Sequence, residues 1–303
     1  MMNSRYFILN DKKKYNDLYR SGLLTFFEKH DLCVSSRGFF DSPFSIIKLI
    51  FDVMLYSNFS ISSNLRTNVI FLCLFWKKGL VIVNGLGRYK NSCGFRLFIS
   101  LLFSINPRKK VVFQNFLDFR YFRRYFKLKN IVWIPGSGGV KRKIGSSDNV
   151  VLVSRDDKVS FAVSSIKSFL KKRENVTLDI VGCKDELLIK ELFINYNTNF
   201  LGYVAQDNLF VSGKFFLQPT GYGEGVPHSL VDALVSGMNV FIQQNLFIEF
   251  GLHVIGFEYN YHSGGWVEVL NNDSVAKKIG SNSITNKYLN ETPFSLAILS
   301  RLG

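Results

Sequence analysis

Residues 218–237 read QPTGYGEGVPHSLVDALVSG, with glycine at 221, 223, 225 and 237. The stretch follows a β-rich run, Phe215 to Gln218, and leads into His228 to Ser236, whose apolar periodicity predicts a helix. Pro227 suits a first helical position, where its missing N–H is not needed. The segment therefore reads as strand, glycine-rich turn and helix N-terminus. Unpaired backbone N–H groups and the positive end of the helix dipole converge at such a point, and glycine lets a ligand approach the backbone closely. Glu224 lies just outside the helix, and Asp232, about two turns on, can share the side of its N-terminus. Two carboxylates would repel a lone phosphate. They suit a ligand whose hydroxyls they accept hydrogen bonds from, while the N–H groups take its anionic charge. Taken alone, the stretch also fits an ordinary turn into a core helix.

Around it, short β-rich runs alternate with helix-length runs. Strands are expected at 150–154, 177–181, 199–204, 215–218 and 240–243, and helices at 159–172, 185–196 and 228–236. Repeated βα units imply a parallel sheet covered on both faces, with ligands at the carboxyl ends of the strands. The first half offers strands at 6–9, 80–84, 111–114 and 131–134. Glycines and a change of charge coincide at Ile134 to Arg142, which places a boundary between domains 1–135 and 136–303.

The chain has 303 residues and a formal charge of +15, unevenly spread. Residues 1–142 hold 24 Lys/Arg against 7 Asp/Glu, and residues 143–303 hold 14 against 16. Such asymmetry implies a basic face for nucleic acid, anionic lipid or a phosphorylated substrate; scattered solvated lysines are the plain alternative. A content of 47% hydrophobic and 20% charged residues excludes a disordered chain. Cys33, Cys73, Cys93 and Cys183 show no C-x-x-C spacing and are expected as reduced thiols in packed positions. The N-terminus lacks the apolar run of a signal peptide, so a cytoplasmic chain is expected. His30, His253 and His262 have no metal-ligand spacing, and His228 reads either as a phosphate contact or as a surface or packed histidine.

Two apolar segments, Pro43 to Tyr56 and Phe95 to Phe103, are too short for a membrane-crossing helix, which needs about 20 residues. The first has one polar stripe, Ser45, Lys48, Asp52 and Tyr56, and a very wide apolar face that must be covered. Neighbours in its own domain, or a membrane interface beside basic residues, would cover it.

GYGEGVPHSLVDALVSG resembles the E-G-x-P-x-x-L-x-E-A-x-x-x-G signature of retaining glycosyltransferase family 4. NGLGR (84–88), VVFQN with Asp118, IPGSGGV (134–140), VLVSR with Lys158, LDIVG (178–182) and FLGYV (200–204) follow in the order of a branch that builds bacterial O-antigen, capsule and related lipid-linked glycans. The resemblance runs from roughly Asn84 to Val240. It implies the α/β GT-B fold, two Rossmann-like domains facing each other across a cleft, with an N-terminal acceptor and membrane-facing domain and a C-terminal domain for the nucleotide sugar. It further implies that Glu224 contacts the donor sugar and Asp232 the ribose hydroxyls. Arg155 and Lys158 would hold the donor phosphates, and Gly223, Gly225 and Val226 would line the donor. Glu224, Arg155 and Lys158 are the implied catalytic set, and Gly85, Gly87 and Asn115 fall on the acceptor side.

The same resemblance implies a nucleotide-sugar donor, a polyprenyl-linked or other glycan acceptor and hexosyltransferase-type chemistry. No cofactor is implied and no metal is expected, since no D-x-D motif is present. Three departures stand out: Asp232 replaces a glutamate, only two residues separate Arg155 from Lys158, and RYFILNDKKKYND lacks a glycine-rich first βα loop. They motivate a catalytically impaired binding subunit of the same fold as an alternative, beside a sugar-nucleotide epimerase. The run at 108–129, RKKVVFQNFLDFRYFRRYFKLK, mixes basic and aromatic residues as single-stranded nucleic-acid binders do. Beside apolar helices and a sugar-donor signature, it fits an anionic membrane or a polyprenyl diphosphate better. No nucleic-acid partner is expected, and the expected location is the cytoplasmic face of the cell membrane.

Overall fold

Short β-branched and aromatic runs form two parallel-dominated sheets in a computed structural model that describes residues 5–20, 24, 27–28, 33–135, 141–173, 175–221 and 225–276. Two compact units result. One spans Met1–Gly138, Gly223–Val226 and Ser281–Gly303, the other Gly139–Tyr222 and Pro227–Gly280.

In the first unit, β1 (Arg5–Asn10), β2 (Val34–Gly38), β3 (Ser57–Ser63), β4 (Gly79–Val83), β5 (Lys109–Phe113) and β6 (Ile131–Trp133) make an all-parallel sheet in the order β2-β1-β3-β4-β5-β6. Helix α1 (Lys13–Tyr19) follows β1. Helices α2 (Ser45–Tyr56), α3 (Leu65–Cys73), α4 (Cys93–Ser104) and α5 (Phe116–Tyr125) lead through the remaining crossovers. Strand alternation divides the core. Leu9, Val81, Val83, Val111 and Phe113 face Leu49, Val53, Phe71, Phe103 and Phe122 of α2 to α5. Tyr6, Ile8, Leu80, Ile82 and Val112 point the other way, into a separate cluster.

The second unit has β7 (Val150–Val153), β8 (Leu178–Val181), β9 (Thr198–Gly202), β10 (Phe215–Gln218), β11 (Asn239–Gln243), β12 (Tyr259–His262) and β13 (Trp266–Val269) in the order β12-β13-β11-β10-β7-β8-β9. Pairing is parallel from β11 to β9 and antiparallel at β13 and β12. Its helices are α6 (Asp156–Lys171), α7 (Glu186–Leu192), α8 (His228–Ser236), α9 (Gln244–Glu249), α10 (Leu252–Ile255) and α11 (Asp273–Ala276).

The expected bounds of β10 and α8 are met, and Gly237, with φ +99°, ends α8 in the left-handed conformation that favours glycine. Three expectations need correction. Pro227 lies before the first helical residue, as an extended cap. Helix α6 begins at Asp156 rather than Val159, because Asp156 and Asp157 suit the positive end of the helix dipole. Of the four free cysteines only Cys183 is packed; Cys33, Cys73 and Cys93 are exposed. The wide apolar face of α2 is half covered: Leu49 and Val53 are buried, whereas Phe44, Ile47, Phe51 and Leu55 stay exposed. Among the described residues no helix is long and apolar enough to cross a membrane.

Candidate active site

In the second unit the chain lays down β7, adds β8 and β9 on one side, then returns to place β10 and β11 on the other. The strand order thus reverses between β7 and β10, neighbours in register through Phe215 and Val150. Ligands of open α/β sheets bind at such a switch point, at the carboxyl ends of the strands. Helix α6 starts just after β7, and the segment leaving β10 leads to the start of α8. Both helices therefore bring N–H groups and positive dipole ends to the same edge of the sheet. Beside them Gly182, φ +90°, ends β8 so close to Ser154 that an added Cβ would lie 2.8 Å from the Ser154 carbonyl oxygen. The Asp156 carboxylate accepts hydrogen bonds from the backbone N–H of Lys184 and Asp185, at 3.0 Å and 3.2 Å, joining two of the loops at this edge. Burial opposes its ionisation, but those hydrogen bonds hold its carboxyl below the ordinary value. The neighbouring Cys183 thiol is pushed up to about 12, first by burial and then by the Asp156 charge.

Arg155 caps α6 in an extended conformation, is exposed, and places Nη2 3.3 Å from Asp157 Oδ2. Lys158 lies one turn on, along the buried face that carries Val159, Ala162 and Ile166. The two are therefore the cap and first turn of one helix, with no loop between them. Asp232 sits in the second turn of α8 and is buried. Arg142 Nε donates to its Oδ2 at 2.8 Å, with both side chains 9% exposed. Arg142 also donates from Nη1 to Asp207 Oδ1 at 3.1 Å and from its backbone N–H to Ser236 Oγ at 2.8 Å. Arg142 is absent from the residues singled out in the sequence. Its only signal there is its place in a KRK run after the glycine-rich junction.

Gly223 and Glu224 lie outside the described residues, as does most of IPGSGGV. Gly225 and Val226 are buried and group with the first unit. Gly85 follows β4, and Gly87 takes φ +57° in a tight turn, Gly87–Tyr89. Buried Asn115 follows β5 and caps α5, its Oδ1 accepting from the Asp118 N–H at 3.1 Å. These three sit at the carboxyl edge of the first sheet, and at least Asn115 has a structural task there.

The first sheet has its own reversal, between β1 and β3. A chain of amides that sequence reading had not singled out floors it. Asn10 donates to Asn16 and to Ser63 Oγ, both at 3.0 Å, and Asn84 donates to Asn64 Oδ1 at 3.0 Å. Asn64 itself donates to Asn10 and holds φ +71°, unusual for a residue other than glycine. Arg20 Nη2 donates to Asn84 Oδ1 at 2.8 Å, and burial brings the Arg20 guanidinium down to about 10. Ordered, hydrogen-bonded amides at a switch point provide both donors and acceptors for hydroxyl recognition. Asparagines scattered singly along a sequence give no such signal until the strands align them.

No protein-family model matches the chain, and no curated protein matches it by sequence. Among solved structures, HepE of Anabaena, crystallised in complex with UDP and glucose, is similar over 100% of this chain and 94% of its own, with a TM-score of 0.55 and 12% identity. Looser likenesses are the spinosyn forosaminyltransferase SpnP (99% and 94% covered, TM-score 0.48, 10% identity) and a UDP-GlcNAc 2-epimerase from Neisseria meningitidis (98% and 99%, 0.46, 12%). With its two parallel-dominated sheets, the chain has the GT-B fold, an α/β architecture of two Rossmann-like units.

Proposed function

We propose that this chain is a retaining glycosyltransferase of hexosyltransferase type that moves a sugar from a nucleotide-sugar donor to a lipid-linked glycan acceptor in bacterial surface-polysaccharide synthesis. The observation that carries the reading is the second unit's switch point. There α6, capped by the exposed Arg155, and α8 bring their N-termini to one edge of the sheet, and Asp232 is a buried acceptor in the second turn of α8. The HepE structure of the same fold holds UDP and glucose, which supports a nucleoside diphosphate as the ligand of such a site.

In the proposed reaction the bond between sugar C1 and the donor phosphate oxygen breaks, and the nucleoside diphosphate leaves with the electron pair. Helix N–H groups, Arg155 and Lys158 stabilise its growing charge. The acceptor hydroxyl oxygen bonds to C1 on the same face, and the departing phosphate oxygen takes its proton, so configuration is kept without a metal. Glu224 and Asp232 accept hydrogen bonds from donor-sugar and ribose hydroxyls. A carboxylate offers about four acceptor positions, so pairing with Arg142 is compatible with that task. The acceptor is proposed to carry a polyprenyl diphosphate at the cytoplasmic face of the cell membrane, a role suited to the 24 basic against 7 acidic residues of 1–142.

A thermal-shift panel of UDP-, GDP- and dTDP-sugars tests the donor site. A donor at a hundred times its Kd stabilises by about 2.7 kcal/mol, several degrees for a protein of this size. The reading fails if no donor raises the melting temperature. With a stabilising donor, product NMR must show transfer with retained anomeric configuration, and Glu224→Ala must abolish it. Donor binding without transfer would favour the binding-subunit alternative, and donor epimerisation the epimerase.

A further inference from the structure

Outward from the first sheet, α2 and α4 each carry a second apolar stripe that none of the described residues covers. Ile47, Phe51 and Leu55 on α2, and Leu97, Phe98 and Leu101 on α4, are between 47% and 69% exposed. They are not scattered residues: positions 47, 51 and 55 advance by four along one helix, as do 97 and 101 along the other. The opposite faces of the same helices bury Leu49 and Val53, and Ile99, Leu102 and Phe103, in one shared cluster with α3 and α5. All four helices thus lie on one side of the sheet, and their outer faces point the same way. Large apolar side chains grouped in this manner mark an interaction surface.

The charge of the same region says what that surface meets. Residues 44–129 hold 15 Lys/Arg and two acids, Asp52 and Asp118, of which Asp118 is buried. Helix α5 exposes Arg120, Arg123 and Arg124. Arg96 of α4 stacks 4.2 Å from the ring centroid of Tyr121 on α5, so the basic helix flanks an apolar one. A second copy of this chain would bring an equally basic face and be repelled. Single-stranded nucleic acid is bound by stacking on aromatic or guanidinium planes; of the six stripe residues only Phe51 and Phe98 offer one, and the aliphatic Ile47, Leu55, Leu97 and Leu101 do not. Apolar stripes beside cations, on helices lying flat, fit the headgroup region of an anionic bilayer.

Resting on the lipid-linked acceptor proposed above, we infer that the outer faces of α2 and α4, with the arginines of α5, form the surface by which the first unit lies on an anionic membrane. The side chains enter the headgroup region while the arginines pair with lipid phosphates. The enzyme is held where a lipid-linked acceptor emerges.

Flotation of the full chain tests this with two vesicle types, pure phosphatidylcholine and phosphatidylcholine with a third of phosphatidylglycerol. The parent chain must float with the anionic vesicles, and less so in high salt. Each cation near the surface contributes about fivefold in partitioning, so Arg120→Gln/Arg123→Gln/Arg124→Gln must lower it by on the order of a hundredfold on anionic vesicles only. Ile47→Gln/Phe51→Gln/Leu55→Gln must weaken binding to both vesicle types. The inference is overturned if the parent chain does not float, if neither variant weakens flotation, if the variants turn a dimer into a monomer, or if single-stranded RNA displaces the vesicles. Thermal shift with the nucleotide sugar that stabilises the parent must be unchanged in both variants. Flotation without any donor response would instead refute the transferase reading and leave the membrane surface standing.

Discussion

Replacing Arg142 with methionine isolates the one buried ion pair found at the second unit's switch point among the described residues. Arg142 Nε and Asp232 Oδ2 are 2.8 Å apart, both side chains only 9% exposed, whereas its second partner, Asp207, is 91% exposed. The exposed arm is screened by solvent and is worth at most a few tenths of a kcal/mol. Removing one member of a buried pair leaves the other charge desolvated without that cation, a loss of about 3 kcal/mol. Arg142→Met should therefore lower the urea midpoint of this unit by on the order of 1 M, and Asp207→Asn should scarcely move it. Pairing Arg142→Met with Asp232→Leu should recover part of the loss, because no buried carboxylate then remains, giving a coupling energy of about 2 kcal/mol. Fluorescence of Trp266, buried in this unit, reports the transition once Trp76 and Trp133 of the first unit are phenylalanine. The reasoning is refuted if Arg142→Met unfolds at the parent midpoint, or if Asp207→Asn costs as much.

Ellman titration of the native chain should count three thiols, Cys33, Cys73 and Cys93, and a fourth only in denaturant, since Cys183 is buried and its thiol raised to about 12. Four fast thiols would contradict this placement. Lys109 is buried, donating from Nζ to Leu74 O and Asn106 Oδ1, and burial lowers it from 10.5 to about 8. The folded chain thus sheds this proton before the unfolded chain does, so its contribution improves as pH rises from 8 towards 10.5, by at most roughly 3 kcal/mol. Denaturation from pH 7 to 9.5 should show the stability gap between the parent and Lys109→Met shifting in the parent's favour, and a pH-independent gap would refute the buried, proton-shedding amine.

How far the sequence spoke depended on whether local pattern and tertiary environment agreed. Strand β10, FFLQ, and helix α8 were readable to the residue, because an apolar run, a glycine turn, a proline and a closing glycine punctuate them. Strand β3, SNFSISS, was not. It is central to the first sheet, yet Ser60, Ser62 and Ser63 are buried there, and the Ser57 and Ser60 hydroxyls satisfy one another at 2.7 Å. Hydrophobic periodicity cannot register a core strand whose inward positions are small hydroxyls. The β12 to β13 hairpin escaped for another reason: it is antiparallel, joined through Gly264 and Gly265 at positive φ, and interrupts the βα rhythm that guided the reading. At the site, glycines and acids were visible as a signature. The Arg142 to Asp232 pair joins residues ninety positions apart and becomes visible only after folding.

The two switch points also divide the charge in a way composition could not reveal. Residues 1–142 carry a surplus of seventeen positive charges, which invites the expectation that a phosphate-bearing substrate is gripped there by cations. At the carboxyl ends of β1, β3 and β4 the crevice is floored by Asn10, Ser63, Asn64 and Asn84, neutral groups linked to one another, with Arg20 bonded to the last of them. Exposed cations flank that edge as well, Lys12, Lys13 and Lys14 after β1, Arg37 at the end of β2 and Arg66 in the first turn of α3, while Arg120, Arg123 and Arg124 lie on α5, on the helical side of the sheet. Charge placed away from a crevice cannot orient a ligand within it at short range, but it does govern which surface the unit settles on, over roughly the 8 Å that salt leaves unscreened. The arginines of α5 therefore belong with the apolar stripes of α2 and α4, while the crevice sets its linked amides and hydroxyls beside a separate group of cations, Lys12 to Lys14, Arg37 and Arg66.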